Sequence, residues 1–216
     1  MNDTPCTAQA SARLRTLSPG EIFDDLGGPQ NQGWRLVSGA LRLDPREPQA
    51  LPAQLALPGD QLGVEGLLGR SCPYRVRALV TSQLEALDPP ASDAASLQRL
   101  SQVLAQQWRR AADMTRLRTG GVPDRVKCLL LMLGAGTSDS DGLLLPRLRD
   151  FAAVVASTPE SVSRVITNLR RLQLLGGRSE RVQHLATDAL THCRLPGGMT
   201  NSRAGSVLTA RAALVG

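Results

Sequence analysis

The sequence contains very few aromatic side chains. They make up 2% of its 216 residues, as two Trp, two Phe and one Tyr. A surface that recognises RNA by stacking bases on several aromatic rings is therefore nearly excluded. Since 42% of the residues are nonetheless hydrophobic, the chain can form a core, which must be built from Leu, Val and Ala.

The chain also lacks long apolar runs. The longest strongly apolar stretch is Cys128–Leu133, whereas a membrane helix needs roughly 20 such residues. The N-terminal segment has no apolar stretch of the kind that a secretory signal carries. The four cysteines are irregularly spaced and far apart, which favours reduced thiols over disulfides or a metal site. These absences predict a cytoplasmic protein without a membrane partner or a bound metal.

Lysine is nearly absent, and the basic charge is unevenly placed. Of the 25 basic residues, all except Lys127 are arginine, and residues 147–216 hold 10 Lys+Arg against 4 Asp+Glu. Residues 1–146 hold 15 of each, so the net charge of +6 lies entirely in the last third. Arginine offers two-pronged hydrogen bonds to phosphate or guanine. A high-GC codon bias would also favour arginine, but it does not explain the localisation, which indicates an anionic partner.

Short apolar stretches broken by Gly and Pro fill residues 21–91. Turn signals stand at Ser38-Gly39 and at Pro58-Gly59-Asp60, with alternating apolar residues on either side. This pattern predicts strands joined by turns, as in a small β-barrel or β-roll. With the helical second half described next, the chain is expected to be an α+β protein, in which residues 1–20 form an N-terminal arm.

Residues 92–119 predict one long helix that follows the linker 88–92. The segment from Asp93 to Thr119 contains no Gly or Pro, and at 1.5 Å per residue it would be roughly 39 Å long. An apolar stripe along a helix of this length must be covered from water. A second copy of the chain would cover it, which favours a homodimer, although packing within one subunit is the alternative. Gln107 interrupts the stripe. The apolar residues that define it, and that we expect at the dimer interface, are Leu97, Leu100, Leu104, Ala111 and Met114.

The basic part of the chain has the pattern of a set of shorter helices. A helix is expected from Asp124 to Leu133, and two more are separated by the brief break Ala156–Pro159. Two short helices joined by a tight turn, the second rich in arginine, suggest a helix-turn-helix. We place this DNA-binding domain at 120–184 and expect a flexible tail over 185–216.

Three stretches of the sequence carry a family resemblance: TPESVSRVITNLRR at 158–171 is the most specific, and SGALRL and LALPGDQLGVEGLLG in the first half are weaker. Through them the sequence resembles the Crp/Fnr family of bacterial transcription factors. The resemblance implies a cupin-like β-roll effector domain, a dimerisation helix and a C-terminal winged helix-turn-helix. It also implies transcription regulation by a homodimer on a palindromic DNA operator, with RNA polymerase as a further partner.

The effector that the resemblance would imply is not recognisable. Cys72-Pro73 stand where cyclic-nucleotide-binding members carry an arginine-hydroxyl pair, and Cys6 is the only cysteine near the N-terminus, too few for an iron–sulfur cluster. Both histidines lie beyond the expected DNA-reading helix, which leaves no histidine near the effector domain to ligate haem. We therefore predict no cofactor and an effector that is unknown or absent. A possible effector pocket would use Glu65, Arg75 and Arg77, although an arginine that points outward from a strand is usually solvated.

One face of the predicted second helix carries the side chains for DNA recognition. Spacings of three and four residues bring Glu160, Ser163, Arg164 and Thr167 together. Arginine suits guanine and glutamate suits cytosine, and the resemblance implies a TTGAT-like half-site. Two alternatives stay open: Glu160 forms a capping box with Ser157, or Arg164 is a surface arginine.

Gly176-Gly177 would begin the wing that the resemblance implies. The expected phosphate contacts are Arg147, Arg149, Arg170, Arg171, Arg178 and Arg181.

Two other classes of function compete with a regulator. A hydrolase could pair the carboxylates of Glu65 and Asp60 in the β-domain, but residues 1–183 contain no His and no Walker loop or nucleophile elbow. A non-specific DNA-compacting protein would spread its basic charge along the chain, which this sequence does not do. We therefore predict a regulator and no enzyme activity.

Overall fold

The computed structural model describes residues 14–24, 26, 33–46, 52, 54–135, 142–177 and 182–193. In this part of the chain, the first half forms two four-stranded antiparallel sheets with the strand orders β1-β8-β3-β6 and β2-β7-β4-β5. A 3₁₀ helix at Val64–Leu68 lies between β6 and β7. The strands are β1 Leu14–Leu17, β2 Ile22–Phe23, β3 Trp34–Ser38, β4 Leu41–Pro45, β5 Gln54–Ala56, β6 Gln61–Leu62, β7 Tyr74–Ala78 and β8 Ser82–Ala86.

Alternating side chains give the two sheets a shared apolar interior. Along β4, Leu41 and Leu43 are buried while their neighbours are half-buried, as expected for a strand with one covered face. Phe23 and Trp34 meet edge to face inside, with ring centroids 5.2 Å apart. The predicted turn at Ser38-Gly39 is confirmed. It requires glycine, because Gly39 has φ +90° and a Cβ there would lie 2.4 Å from the Thr81 carbonyl oxygen.

The predicted long helix is present as α1, Asp93–Arg118. The Ser92 hydroxyl caps its first turn by accepting a hydrogen bond from the Ala95 N–H at 3.2 Å. The helix has an inner face, which packs on the chain itself, and an outer face with exposed side chains. The inner face carries Val103, Gln106, Met114 and Leu117.

Polar contacts fix the inner face of α1 to the β-domain. The Gln106 side chain accepts a hydrogen bond from the Gln61 N–H at 2.8 Å and donates to the Gln61 carbonyl at 3.0 Å, as a neighbouring strand would. Farther along, Arg110 donates to both carboxylate oxygens of Asp60, at 2.6 and 3.1 Å. Asp60 is 4% exposed, so this is a buried, two-pronged ion pair.

The outer face of α1 carries exposed apolar side chains. Leu97 is 65% exposed, Leu104 52% and Trp108 70%. With Ser101, Ala111 and Thr115 they repeat at alternating steps of four and three residues, which is the spacing of a coiled-coil seam. The prediction for Met114 as an interface residue is wrong, because it lies in the chain's own core at 5% exposure. Leu100 is half-buried at the edge of this seam.

The described residues of the second half form four further helices and a small sheet. These elements are α2 Val122–Gly134, β9 Leu143–Leu144, α3 Leu148–Val154, α4 Pro159–Arg171, β10 Leu175–Gly176, β11 Val182–Leu185 and α5 Thr187–His192. The helices α3 and α4 are joined by the segment 155–158, and the sheet has the antiparallel order β10-β11-β9. None of the helices in the described ranges has the length and apolar composition required to cross a membrane.

Both halves of the chain contribute to one hydrophobic core. Leu55 and Leu79 of the β-domain belong to the same buried cluster as Leu129 of α2, Phe151 of α3 and Leu169 of α4. All five side chains are fully buried. The helical half and the β-domain therefore share one continuous core, and the predicted boundary at residue 120 does not separate two independent cores.

A buried ion pair adds to this contact. The Arg42 guanidinium on β4 donates to Asp150 of α3 at 3.0 Å and to Asp44 at 3.0 Å. Asp150 is 3% exposed. The pair therefore ties the amino end of α3 to the β-domain, across 108 residues of sequence.

Two predicted boundaries are wrong. The arm was expected to end at residue 20, but Leu14–Leu17 pairs with β8 as part of the first sheet. The tail was expected to begin at residue 185, yet α5 follows, and its Leu190 is fully buried because it packs in the shared core. Residues 1–13, with Cys6, and 194–216 lie outside the described residues.

Candidate nucleic-acid interface

The turn between α3 and α4 sets the direction of α4. Ala156 adopts a left-handed conformation with φ 47°, and the next N–H, that of Ser157, returns to the Ala152 carbonyl at 2.9 Å. This is the hydrogen bond that closes a Schellman-type helix end, where glycine is the usual residue. The Arg125 side chain of α2 donates from one nitrogen to the carbonyls of Val155, at 2.6 Å, and Ala156, at 3.0 Å.

Helix α4 starts one residue later than the capping-box interpretation requires. Its cap is Thr158, whose hydroxyl accepts from the Ser161 N–H at 3.3 Å, and Pro159 occupies the first helical position. The alternative in which Ser157 caps α4 in a capping box is wrong, since the Ser157 N–H is bonded to the Ala152 carbonyl in the turn. The pKa of Glu160 is lowered by a hydrogen bond from its own backbone N–H, then by the Thr158 hydroxyl and the Arg164 charge. Glu160 thus contacts the amino end of α4 while staying exposed.

The predicted two faces of α4 are observed. Val162, Ile166 and Leu169 are buried, with Ile166 the most accessible at 5%. On the opposite side the side chains of Glu160, Arg164 and Thr167 are exposed, and Ser163 is half-buried. The structure therefore brings the four predicted recognition residues onto one accessible helix face.

A groove runs beside this face. It has a volume of about 400 Å³ and separates the segment that leads into α3 from the side of α4. The first wall includes Arg147 and Leu148, and the second includes Ser163, Thr167 and Arg170. Both walls supply groups that suit the backbone of a nucleic-acid strand. The guanidinium groups suit its phosphates, and the hydroxyls suit either its phosphates or its sugars.

Four of the six predicted phosphate-binding arginines can be placed. Arg147, Arg149, Arg170 and Arg171 are exposed and flank α4 or the start of α3. Arg170 donates to the Gln183 side chain of β11 at 3.3 Å, and Arg171 donates to Asn168 at 3.0 Å. A Cβ placed on Gly20 would lie 3.0 Å from the Arg147 guanidinium, so Arg147 also contacts the β-domain. The other two predicted arginines, Arg178 and Arg181, lie outside the described residues.

The three residues of the predicted effector pocket are not brought together. Glu65 lines a small internal cavity with Cys72, Tyr74 and Gln106. Arg75 is exposed, and Arg77 instead donates to the Gly20 carbonyl at 3.0 Å. The reason is the two-residue period of β7, which turns Arg75 and Arg77 away from the interior.

The internal cavity is nearly filled. Its volume is about 10 Å³, which is the room that a single water molecule needs. The Gln106 clamp on Gln61 closes one side, and the Cys72 thiol on another side donates to the Tyr74 carbonyl at 3.6 Å. Burial raises the pKa of this thiol. One Glu65 carboxylate oxygen is buried there without a hydrogen-bond partner in the described part of the chain.

Asp60 is committed to structural contacts. Besides the two bonds from Arg110, its carboxylate accepts a hydrogen bond from the Leu57 N–H at 2.9 Å. A carboxylate held in this way anchors α1 on the β-domain.

Sequence reasoning missed three residues that shape this region. Trp108 follows the four-three spacing of the α1 seam, so the spacing itself could have identified it. Arg125 and Asp150 carry no local signal, because their partners lie 30 and 108 residues away.

Comparison with known proteins gives consistent results. No protein-family model matches the chain. The chain is 33% identical over 164 residues to the transcriptional regulator LdrP of Thermus thermophilus, a match that covers 73% of this chain and 84% of that protein.

Solved structures agree with this similarity. A transcriptional regulator of the CRP family from Thermus thermophilus is 30% identical, with a TM-score of 0.64, over 82% of this chain and 94% of the other. A CRP/FNR-family regulator from the same organism is 25% identical, with a TM-score of 0.58, over 82% and 96% of the two chains.

Proposed function

Because the chain belongs to the Crp/Fnr family of DNA-binding transcriptional regulators, we propose that it acts as a homodimer that reads an inverted-repeat operator through α4. The observation that carries this proposal is the accessible face of α4. It presents Glu160, Arg164 and Thr167 to solvent and has arginines on both flanks. The proposal treats α3, α4 and the sheet β10-β11-β9 as a winged helix-turn-helix.

Each residue of the α4 face has a role that follows from its chemistry. Arg164 has the reach and the fork geometry to donate to guanine O6 and N7, and Glu160 can accept from cytosine N4. Ser163 and Thr167 make shorter contacts. The family resemblance of the segment around these residues points to a TTGAT half-site followed, after a short gap, by ATCAA.

The arginines that flank α4 supply affinity. Arg147 and Arg170 stand on opposite walls of the groove beside α4, and Arg149 and Arg171 are exposed next to them. Contacts of this kind hold the protein in register on the duplex but carry no sequence information. They also make binding weaker at high salt, because bound counterions are released from the DNA.

The outer face of α1 is the proposed dimer interface. Leu97, Leu104 and Trp108 would leave a continuous apolar seam in water if the chain were monomeric. A second copy of the same seam, related by a two-fold axis, would cover it and place the two α4 helices on successive turns of DNA, roughly 34 Å apart. The inverted repeat of the operator would mirror this axis.

The proposed regulator does not respond to cyclic AMP. Among the described residues, the cavity beside Glu65 offers about 10 Å³, and a cyclic nucleotide placed there would have to displace the Gln106 clamp that fixes α1. Calorimetry with cyclic AMP on the full chain tests this point: we expect no heat of binding and the same operator affinity with and without the nucleotide. A micromolar site would overturn it.

Selection from a random duplex library tests the proposed function. The wild type, Arg164→Ala and Arg170→Ala are selected in parallel. We expect an enriched two-fold-symmetric site for the wild type, and Arg164→Ala should lose about 1–3 kcal/mol per half-site and relax the guanine preference. Arg170→Ala, as a phosphate contact, should weaken all sequences alike and lower the salt slope by about one.

Three outcomes would contradict the proposed function. One is an enriched site without two-fold symmetry, and another is a site unchanged by Arg164→Ala. The third is competition in which a random duplex displaces the protein as readily as the selected site, as a compacting protein would show. Transcription in vitro from a promoter with the selected site tests RNA polymerase as the further partner: we expect output to change when the regulator is added.

A further inference from the structure

Arg125 holds the turn of the helix-turn-helix, although it belongs to neither of its helices. It lies in the first turns of α2, and one of its nitrogens donates to two successive carbonyls of the turn, those of Val155 and Ala156. These carbonyls follow the end of α3, where the chain leaves the helix and the carbonyl oxygens lack partners along the helix. A cation also interacts favourably with the carboxyl end of a helix.

The turn that Arg125 holds is strained. Ala156 stands at φ 47°, a left-handed conformation that costs a residue with a side chain roughly 1–2 kcal/mol. Strain of this kind persists where the surrounding contacts enforce it. The Arg125 bonds are such contacts, and they come at a cost of their own, because Arg125 Nε is buried with no hydrogen-bond partner in the described ranges.

We infer that Arg125 is a positioning residue for DNA recognition: it fixes the direction of α4 by tying the turn before it to α2. The inference rests on the proposed function. The direction of α4 depends on the backbone of residues 155–158, since α4 begins at Pro159. Its recognition side chains must reach base edges within hydrogen-bonding distance, so a rotation of the helix affects base contacts more than contacts made by long, exposed arginines to phosphate.

The experiment compares affinity for the selected operator with affinity for a scrambled duplex of equal length. Arg125→Met removes the donors and keeps the apolar stem, and Arg125→Lys keeps a cation with donors. The double variant Arg125→Met/Ala156→Gly removes the tether and relieves the strain, which secures folding. The matched control is Arg70→Met, the same chemical change at an exposed position of the β-domain.

We expect Arg125→Met, measured well below its unfolding temperature, to lower the operator-to-scrambled ratio by about tenfold, the size of a weakened base contact. Its affinity for scrambled DNA should stay within about twofold, because phosphate contacts are retained. Arg125→Lys should restore part of the ratio. The double variant should regain thermal stability but not the ratio, and the control should match the wild type.

Two failures can be told apart. If the wild type does not discriminate between the two duplexes, the proposed function is wrong. If the wild type discriminates and the double variant, fully folded, keeps the wild-type ratio, Arg125 only stabilises the fold and the positioning role is wrong.

Discussion

Replacing Trp108 with alanine on the outer face of α1 should strongly weaken the proposed dimer. Trp108 is 70% exposed in the single chain. A fully buried tryptophan removes about 150–250 Å² from water. At 70% exposure, roughly 100–175 Å² of the Trp108 side chain of each single chain is in contact with water. At about 25 cal/mol per Å² this area is worth roughly 2.5–4.5 kcal/mol per chain.

The measured loss will be smaller than this area suggests, because association also costs side-chain and rigid-body freedom. Aromatic residues at the centre of an interface commonly cost about 2 kcal/mol or more when truncated. We therefore expect Trp108→Ala to raise the dimer dissociation constant by at least roughly 30-fold. Adding Leu104→Glu places like charges in the seam and should give a monomer.

Sedimentation velocity over a range of protein concentrations measures the effect, and Val37→Glu is the control. Val37 is 44% exposed on β3, so this variant introduces the same charge at an exposed apolar position outside α1. The control should stay dimeric. Binding to a single half-site should survive in the monomeric variant, while the gain from the inverted repeat disappears. A Trp108→Ala/Leu104→Glu protein that still sediments as a dimer would show that the interface lies elsewhere.

Asp150→Asn should lower the free energy of unfolding by about 1–3 kcal/mol in urea titration, because it removes one of the two carboxylates that pair with the buried Arg42 guanidinium; a change below about 0.5 kcal/mol would show that the pair contributes little. Gly39→Ala should unfold or strongly destabilise the β-domain, since its Cβ would lie 2.4 Å from a backbone carbonyl. Ala156→Gly should raise stability by up to about 1 kcal/mol in the same titration, by removing left-handed strain. The pKa of Glu160 lies below its ordinary value of 4.5, so its stabilising effect is present above that pH and is lost as the pH falls through the lowered pKa. Glu160→Gln should therefore lower the melting temperature at pH 7 and differ little from the wild type in acid.

The elements with a strong local period could be predicted from the sequence. The spacing of apolar residues placed α1 and the two faces of α4, because each depends on contacts three or four residues apart. The same period could not say which face of α1 meets the chain's own core. Since α1 has two apolar faces, Met114 was assigned to the wrong one.

The contacts that the sequence could not show are those made across the fold. The Arg42–Asp150 pair and the Arg125 tether join residues whose neighbours in sequence give no hint of a partner. The cap of α4 was misplaced by one residue, because the left-handed conformation of Ala156 is enforced from outside the segment. The effector pocket was a weaker prediction from the start. Arg75 and Arg77 were named as candidates although outward arginines on a strand are usually solvated, and the two-residue period of β7 does turn both away from the interior.

The shared core limits how freely the halves of this chain can be exchanged with those of other proteins. A module that is joined to its neighbour only by a linker can be moved to another protein with its surface intact. Here residues of the β-domain, such as Leu55 and Leu79, belong to the same buried cluster as those of the helical half. A graft of the helical half onto another scaffold would expose apolar side chains, so the new scaffold would have to supply a replacement cover.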